Sequence, residues 1–125
     1  MKYYGSCLCG SVSFEINGVI EQVIHCHCDM CKKSHGAAFA SFGVVAQDAF
    51  QWIGQEAIGI FNSSPDTQRT FCKKCGSPLQ WHKSGDSFGE GKISFSLGLL
   101  DTPFTPNEEL NFFKEQKAKW YLAHE

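Results

Sequence analysis

An all-β architecture organised around metal is what this sequence predicts, and three observations carry the prediction. Short segments of strand-like pattern alternate with glycine turns, seven cysteines fall into three tight groups, and only two short stretches have any helical character. At 125 residues the chain can bury one respectable core but not two independent ones, so a single zinc domain over residues 1–125 is expected. It shows no internal repeat, linker or low-complexity tract.

The first expected strand is residues 12–16 (VSFEI), where apolar and polar side chains alternate as in a half-buried strand and Gly18 follows as a stop. Residues 19–25 read as a second strand leading straight into a cysteine group. Residues 39–45, 50–53, 57–61 and 69–72 read as further short strands, and 92–97 (KISFSL) has a clean period of two. Residues 83–91, rich in Gly and Ser, should form an exposed loop. Helix is expected only as a turn over 29–34 and a short piece over 107–113.

A formal net charge of −2 gives no electrostatic case for nucleic acid or for an anionic membrane. Seven thiolates and two doubly charged zinc ions would add three further negative charges, about −5 in all, which weakens nucleic-acid binding further. The opening MKYYGSCLCG lacks an apolar core of signal-peptide length. The most apolar run, residues 37–46, is half a membrane span and contains Ser41 and Gly43. The expectation is a cytoplasmic protein, where thiols stay reduced and a disulfide framework is disfavoured. Seven cysteines also cannot all pair within one chain. Reduced, closely spaced cysteines point to metal.

The groups are Cys7 and Cys9; Cys26, Cys28 and Cys31; Cys72 and Cys75. The segment FCKKCGSPL has the form of a zinc knuckle: two intervening residues let both sulfurs face one ion, and Gly76 permits the bend beneath it. A knuckle supplies two of four tetrahedral ligands, and Cys7 with Cys9 can supply the rest. CHCDMC then offers three thiolates within six residues, the donor count of an open, catalytic-type zinc. Spacing favours this division of four and three. It also permits Cys28 and Cys31 to join Cys72 and Cys75, leaving Cys7, Cys9 and Cys26. Isolated buried apolar cysteines are common, but three clusters of them are not.

GSCLCGSVSFE, CHCDMCKKSHGAAFASF, RTFCKKCGSPL and the late KAKWY together resemble the glutathione-dependent formaldehyde-activating enzyme family, to which the centromere protein V domain also belongs. The resemblance runs in order through most of the chain. It implies a β-tent fold, small antiparallel sheets leaning together around zinc. It implies a structural zinc on Cys7, Cys9, Cys72 and Cys75, and a second, open zinc on Cys26, Cys28 and Cys31. For the activity it implies a carbon–sulfur lyase-type step joining glutathione and formaldehyde as S-(hydroxymethyl)glutathione. One departure is His35, which precedes Gly36 where the family more usually has a small hydroxyl residue. Were His35 to face the open zinc, the chemistry would differ from the namesake's.

A zinc held by three thiolates is a weaker Lewis acid than one held by three histidines, yet it can take an incoming thiolate or alkoxide. The expected substrate is a small thiol adduct of the glutathione kind, and a nearby base would move its proton. His27 lies between two ligands and should point away from their metal; His35 and Arg69 are the candidate catalytic residues. His25 reads as a strand residue, and His82 and His124 as surface. A ligand with carboxylates calls for cations, for which Lys32, Lys33, Arg69, Lys73 and Lys74 are placed by sequence, and Arg69 leads a strand into the knuckle. Phe39, Phe42, Trp52, Phe71 and Trp81 read as core, and the tail around Trp120 as docked onto the body. Two other functions remain in view. One is a non-catalytic zinc module binding a protein through an exposed patch; the other is metal buffering or redox sensing by oxidisable thiolates.

Overall fold

In the computed structural model, which describes residues 1–84 and 90–122, the alternating segments form strands close to their expected places. The order is β1 Lys2–Ser6, β2 Ser13–Asn17, β3 Gln22–Cys26, α1 Asp29–His35, β4 Ala40–Ala46, β5 Phe50–Ile53, β6 Ile58–Ser64, β7 Thr67–Cys72, β8 Pro78–Lys83, β9 Lys92–Ser96 and β10 Leu110–Phe112. Residues 85–89 of the expected loop, and His124, lie outside the described residues.

The strands make two sheets. β1, β2 and β5 form a three-stranded antiparallel sheet; the other seven run in the order β10-β3-β4-β9-β8-β7-β6, antiparallel except where β10 lies parallel to β3. This is the mainly β architecture of small, mostly antiparallel sheets that was expected. Period-two patterning sends Phe14 and Ile16 of β2, Val45 of β4, and Ile93 and Phe95 of β9 into one core between the sheets. Phe14 stacks on Phe50 at 4.9 Å and lies 5.2 Å from Phe95, so the aromatic residues of both sheets close this layer.

The opposite face of the large sheet carries a different set. Register pairs Ile24 with Phe42, Phe42 with Ser96, Trp81 with Ser94 and Arg69 with both Trp81 and Phe61. These side chains, with Cys26, therefore share one face across six strands, away from the core.

Three segments depart from expectation. β1 and β8 were not anticipated: β1 has only five residues before the first cysteine, and β8 opens with Pro78, which a strand tolerates at its first position. Residues 107–113 contain a strand, not a helix. Asn and Phe are weak helix formers, and β3 offers them a ready backbone partner: Leu110 pairs with Ile24, and the His27 amide donates to the Phe112 carbonyl at 2.9 Å.

Candidate functional site

The first cysteine group lies on a tight turn closed by the Gly10 amide donating to the Cys7 carbonyl at 3.1 Å. The knuckle closes in the same way, with the Gly76 amide on the Cys72 carbonyl at 2.8 Å and Gly76 at φ 81°. The two turns meet, and the sulfurs of Cys7, Cys9, Cys72 and Cys75 all lie within 4.8 Å of one another. Cys7 and Cys9 sulfurs stand 3.7 Å apart, and Cys9 and Cys72 sulfurs 3.8 Å. Thiolates arranged tetrahedrally around zinc at about 2.3 Å stand about 3.8 Å from one another, so the spacing fits that ion. Backbone amides point at the sulfurs as thiolates require: Val12 at Cys7 (3.3 Å), Lys74 and Cys75 at Cys72 (3.4 and 3.5 Å). The Ser77 hydroxyl pulls the Cys75 thiol down to about 5, and Ser11 lowers Cys9. Four donors complete a tetrahedron, so this cluster is closed.

The second cluster is built where β3 runs into α1. Cys26 ends the strand; Cys28 caps the helix, its sulfur accepting from the Cys31 amide at 3.3 Å; Cys31 is buried in the first turn. All three sulfurs lie within 4.8 Å of one another, and among the described residues no fourth His, Cys, Asp or Glu joins them. Cys31 bonds Cys26, which holds the Cys31 thiol well above its ordinary pKa and Cys26 below; burial pushes both up, and Arg69 pulls Cys31 back. The cluster faces a cavity of about 480 Å³ lined also by Met30, Phe42, Asp66, Trp81 and Lys83. Three soft donors and an open side can hold zinc with a position to spare.

Arg69 is where the sequence candidates and the geometry meet. It is 8% exposed, donates from Nη2 to the Cys31 sulfur at 3.6 Å and from Nε to Ser63 at 3.3 Å. His35 sits instead in an adjoining cavity of about 240 Å³, and Phe42, Arg69 and Trp81 line both that cavity and the thiol cavity. Burial, then the Arg69 charge, lowers His35 to about 4, so it is neutral at neutral pH. His27 turns to the other face of β3, bonding Asn111 at 3.0 Å. His25 bonds Ser41 at 2.8 Å and also Glu109 of the chain leading into β10. Of the other cations, Lys32 is taken up by Asp29 and the Gln116 carbonyl, Lys33 is exposed, and Lys73 and Lys74 lie by the knuckle in a separate depression. Phe42 is buried in a cluster with Cys26, Cys31 and Ala40, against which Trp81 packs, and both also wall cavities, as Phe71 does; Trp52 packs on the main core as expected. Trp120 is 72% exposed; it is Tyr121 that packs, against Phe39 at 5.6 Å.

Sequence reasoning missed Ser94 and Ser96. Their signal was present in KISFSL, where alternation marked a polar face, but that face is buried against the cavities rather than in solvent. Asp66, Lys83, Phe112 and Phe113 reach the thiol cavity from the turn between β6 and β7, the end of β8 and the end of β10, far along the chain from these cysteines, and carry no local signal.

Fold and site together define a mainly β protein with one closed four-cysteine cluster and one open three-cysteine cluster, each able to hold a metal ion. The chain belongs to the family described as glutathione-dependent formaldehyde-activating enzyme, which it matches over residues 2–116. It is 30% identical over 80 residues to an uncharacterized lyase of Schizosaccharomyces pombe, covering 62% of this chain and 56% of that one. It is 36% identical over 77 residues to a Podospora anserina protein named "Putative glutathione-dependent formaldehyde-activating enzyme", covering 58% of this chain and 36% of that one. The chain thus spans about half, or less, of the length of these relatives. A Rhodobacter sphaeroides protein of known crystal structure shares the fold, with a TM-score of 0.66 at 19% identity over 90% of this chain and 99% of that one. No helix among the described residues is long and apolar enough to cross a membrane.

Proposed function

We propose that this chain is a zinc-dependent carbon–sulfur lyase-type enzyme for a small thiol adduct, of the S-(hydroxymethyl)glutathione synthase kind. The observation that carries this reading is the open cluster: three cysteine sulfurs at the edge of a cavity, with a buried guanidinium on one of them. Family membership supports the substrate class. Cys26, Cys28 and Cys31 would hold one zinc and Cys7, Cys9, Cys72 and Cys75 another. At the open site zinc would supply Lewis-acid stabilisation of a sulfur or oxygen anion.

The chain's own residues account for the rest. In the forward direction a carbon–sulfur bond forms between thiol and formaldehyde, the carbonyl π bond breaks, and the thiol proton ends on the new hydroxyl oxygen. Arg69, fixed by Ser63 and Cys31, holds its remaining N–H donors ready for the negative charge that appears on oxygen or sulfur. His35, neutral and lining the adjoining cavity, is the proposed proton acceptor for a substrate that extends between the two cavities past Phe42, Arg69 and Trp81. Met30, Phe112 and Phe113 make the thiol cavity largely apolar and limit water there.

Formaldehyde also adds to thiols without a catalyst, so the test is exchange at equilibrium. Magnetisation-transfer NMR on zinc-loaded protein should show glutathione, formaldehyde and their adduct interconverting faster than in buffer. Cys28→Ser should return the rate to background. Zinc-loaded wild type that gives only the buffer rate would sink the proposal. The second reading, a protein-binding module, draws on exposed Ile60 and Phe61 of edge strand β6. It predicts only the buffer rate in both proteins.

A further inference from the structure

The proposed reaction with formaldehyde leaves one feature without a use, the smaller cavity beside the thiol cavity. Formaldehyde carries only hydrogen on its carbonyl carbon, so its adduct needs no further room there. The cavity nevertheless has a volume of about 240 Å³. About 150 Å³ lined by aliphatic and aromatic side chains is enough to take benzene. Four rings line the space, those of Phe42, Phe61, Phe71 and Trp81, and Phe42 and Trp81 also line the thiol cavity. The two cavities therefore adjoin at those side chains. Ser96, among the lining residues, is 7% exposed, and its Oγ has no hydrogen-bond partner among the described residues. A buried hydroxyl without a partner costs free energy, so an occupant with an oxygen fits better than a hydrocarbon. His35 at the same cavity is neutral at neutral pH. The Arg69 guanidinium is compatible with a ring beside it, since a cation lies favourably on an aromatic face.

A ring-lined space with one orphan hydroxyl, next to a cysteine cluster, suits an aldehyde that carries a substituent. We infer that this cavity receives the carbon substituent of the aldehyde component, and that the aldehydes it takes are aromatic or similarly flat and apolar. The thiol adds across the carbonyl: a carbon–sulfur bond forms, the carbonyl π bond breaks and the thiol proton ends on oxygen. The product is a hemithioacetal whose carbon bears the substituent. Its sulfur lies at Cys26, Cys28 and Cys31, its ring lies among Phe42, Phe61, Phe71 and Trp81, and Ser96 bonds its oxygen. The inference rests on the proposed function for the sulfur end. The pocket itself rests on the rings and on Ser96.

Binding is read first, with two unreactive thioethers, S-benzylglutathione and S-methylglutathione, titrated into the zinc-loaded protein and followed by amide NMR. The benzyl compound should bind about tenfold more tightly, with its additional shifts at Phe61, Phe71 and Trp81. Phe61 is 60% exposed and lines this cavity but not the thiol cavity, so Phe61→Ala should fold normally. It should cut the benzyl advantage about threefold and leave the S-methyl affinity unchanged. Equal affinity for the two thioethers would overturn the pocket. So would a benzyl advantage that Phe61→Ala leaves intact, which would place the ring in the thiol cavity. Turnover is read next, by exchange of glutathione with phenylacetaldehyde and with formaldehyde. Both should exceed the buffer rate, and Phe61→Ala should slow only the phenylacetaldehyde exchange, about threefold. Ser96→Ala should slow that exchange by a similar factor without changing S-benzyl affinity, because the thioether lacks the adduct's oxygen; unchanged exchange would overturn the role of Ser96. Catalysed exchange with formaldehyde and none with phenylacetaldehyde would overturn the inference and leave the proposed function standing. A benzyl preference that depends on Phe61, with only the buffer rate for both aldehydes, would reject the enzymatic reading and the aldehyde with it, and leave an aryl-binding pocket.

Discussion

The charge of Arg69 reaches His35, the other candidate catalytic residue, and adds to the effect of burial on its imidazole. Arg69 is buried with two of its donors taken by Cys31 and Ser63, and burial of His35, with the Arg69 charge second, keeps the imidazole neutral. The consequence is a pH dependence with a definite sign. Folding lowers His35 from 6.5 to about 4, so between those values the unfolded chain binds more protons than the folded one. Stability contributed by neutral His35 is therefore present above 6.5 and is lost as the pH falls toward 4. Denaturant melts of zinc-loaded wild type and His35→Phe at neutral pH and near pH 5 isolate the effect from thiolate protonation, which both proteins share. Wild type should lose about 1 kcal/mol more than the variant, a figure already reduced because the ring is partly exposed. Identical losses would show that His35 does not titrate in the shadow of Arg69.

At the scale of elements, the turn after β5 decides whether the two sheets and the first cysteine turn can meet. Gly54 has φ 84°, and a Cβ there would stand 2.1 Å from the Ser11 carbonyl oxygen, in the segment that joins Cys9 to Val12. The contact is with backbone, so no side chain can swing aside. Gly54→Ala should therefore cost more than about 2 kcal/mol, through both clash and left-handed strain, and lower the melting temperature of the zinc-loaded protein. A melting temperature within a degree of wild type would contradict this packing. What the sequence made legible follows the same division between local and distant causes. Strands such as residues 50–53 announced themselves because alternation is a local property, and the cysteine groups because metal chemistry demands close spacing. Residues 107–113 did not, because a parallel strand there depends on β3, more than eighty residues earlier, and on His25 and His27 to receive Glu109 and Asn111. The cavities were illegible for the same reason. Arg69, Trp81 and Ser96 converge only through the register of four neighbouring strands.

Over the whole molecule, the two cysteine clusters hold very different lengths of chain. The closed cluster joins residues 63 positions apart, Cys9 to Cys72, and so ties the small sheet's first turn to the far end of β7. The open cluster gathers three sulfurs from the end of β3 and the start of α1, a span already ordered by a cap and a strand pairing. Structural zinc in small domains contributes about 10–16 kcal/mol of apparent binding free energy, as large as the about 5–15 kcal/mol of net stability of a typical domain. Removing the closed site's ion should therefore leave no stable fold, whereas emptying the open site should leave the sheets intact. The comparison is Cys72→Ser against Cys28→Ser, each expressed with zinc under reducing conditions and read by amide NMR dispersion and by zinc per chain in native mass spectrometry. Cys28→Ser should keep a dispersed spectrum with one zinc, against two in wild type, while Cys72→Ser should collapse to the narrow dispersion of an unfolded chain. Equal unfolding of the two variants would mean that both clusters carry the fold, and the division into a structural and a functional centre would fall.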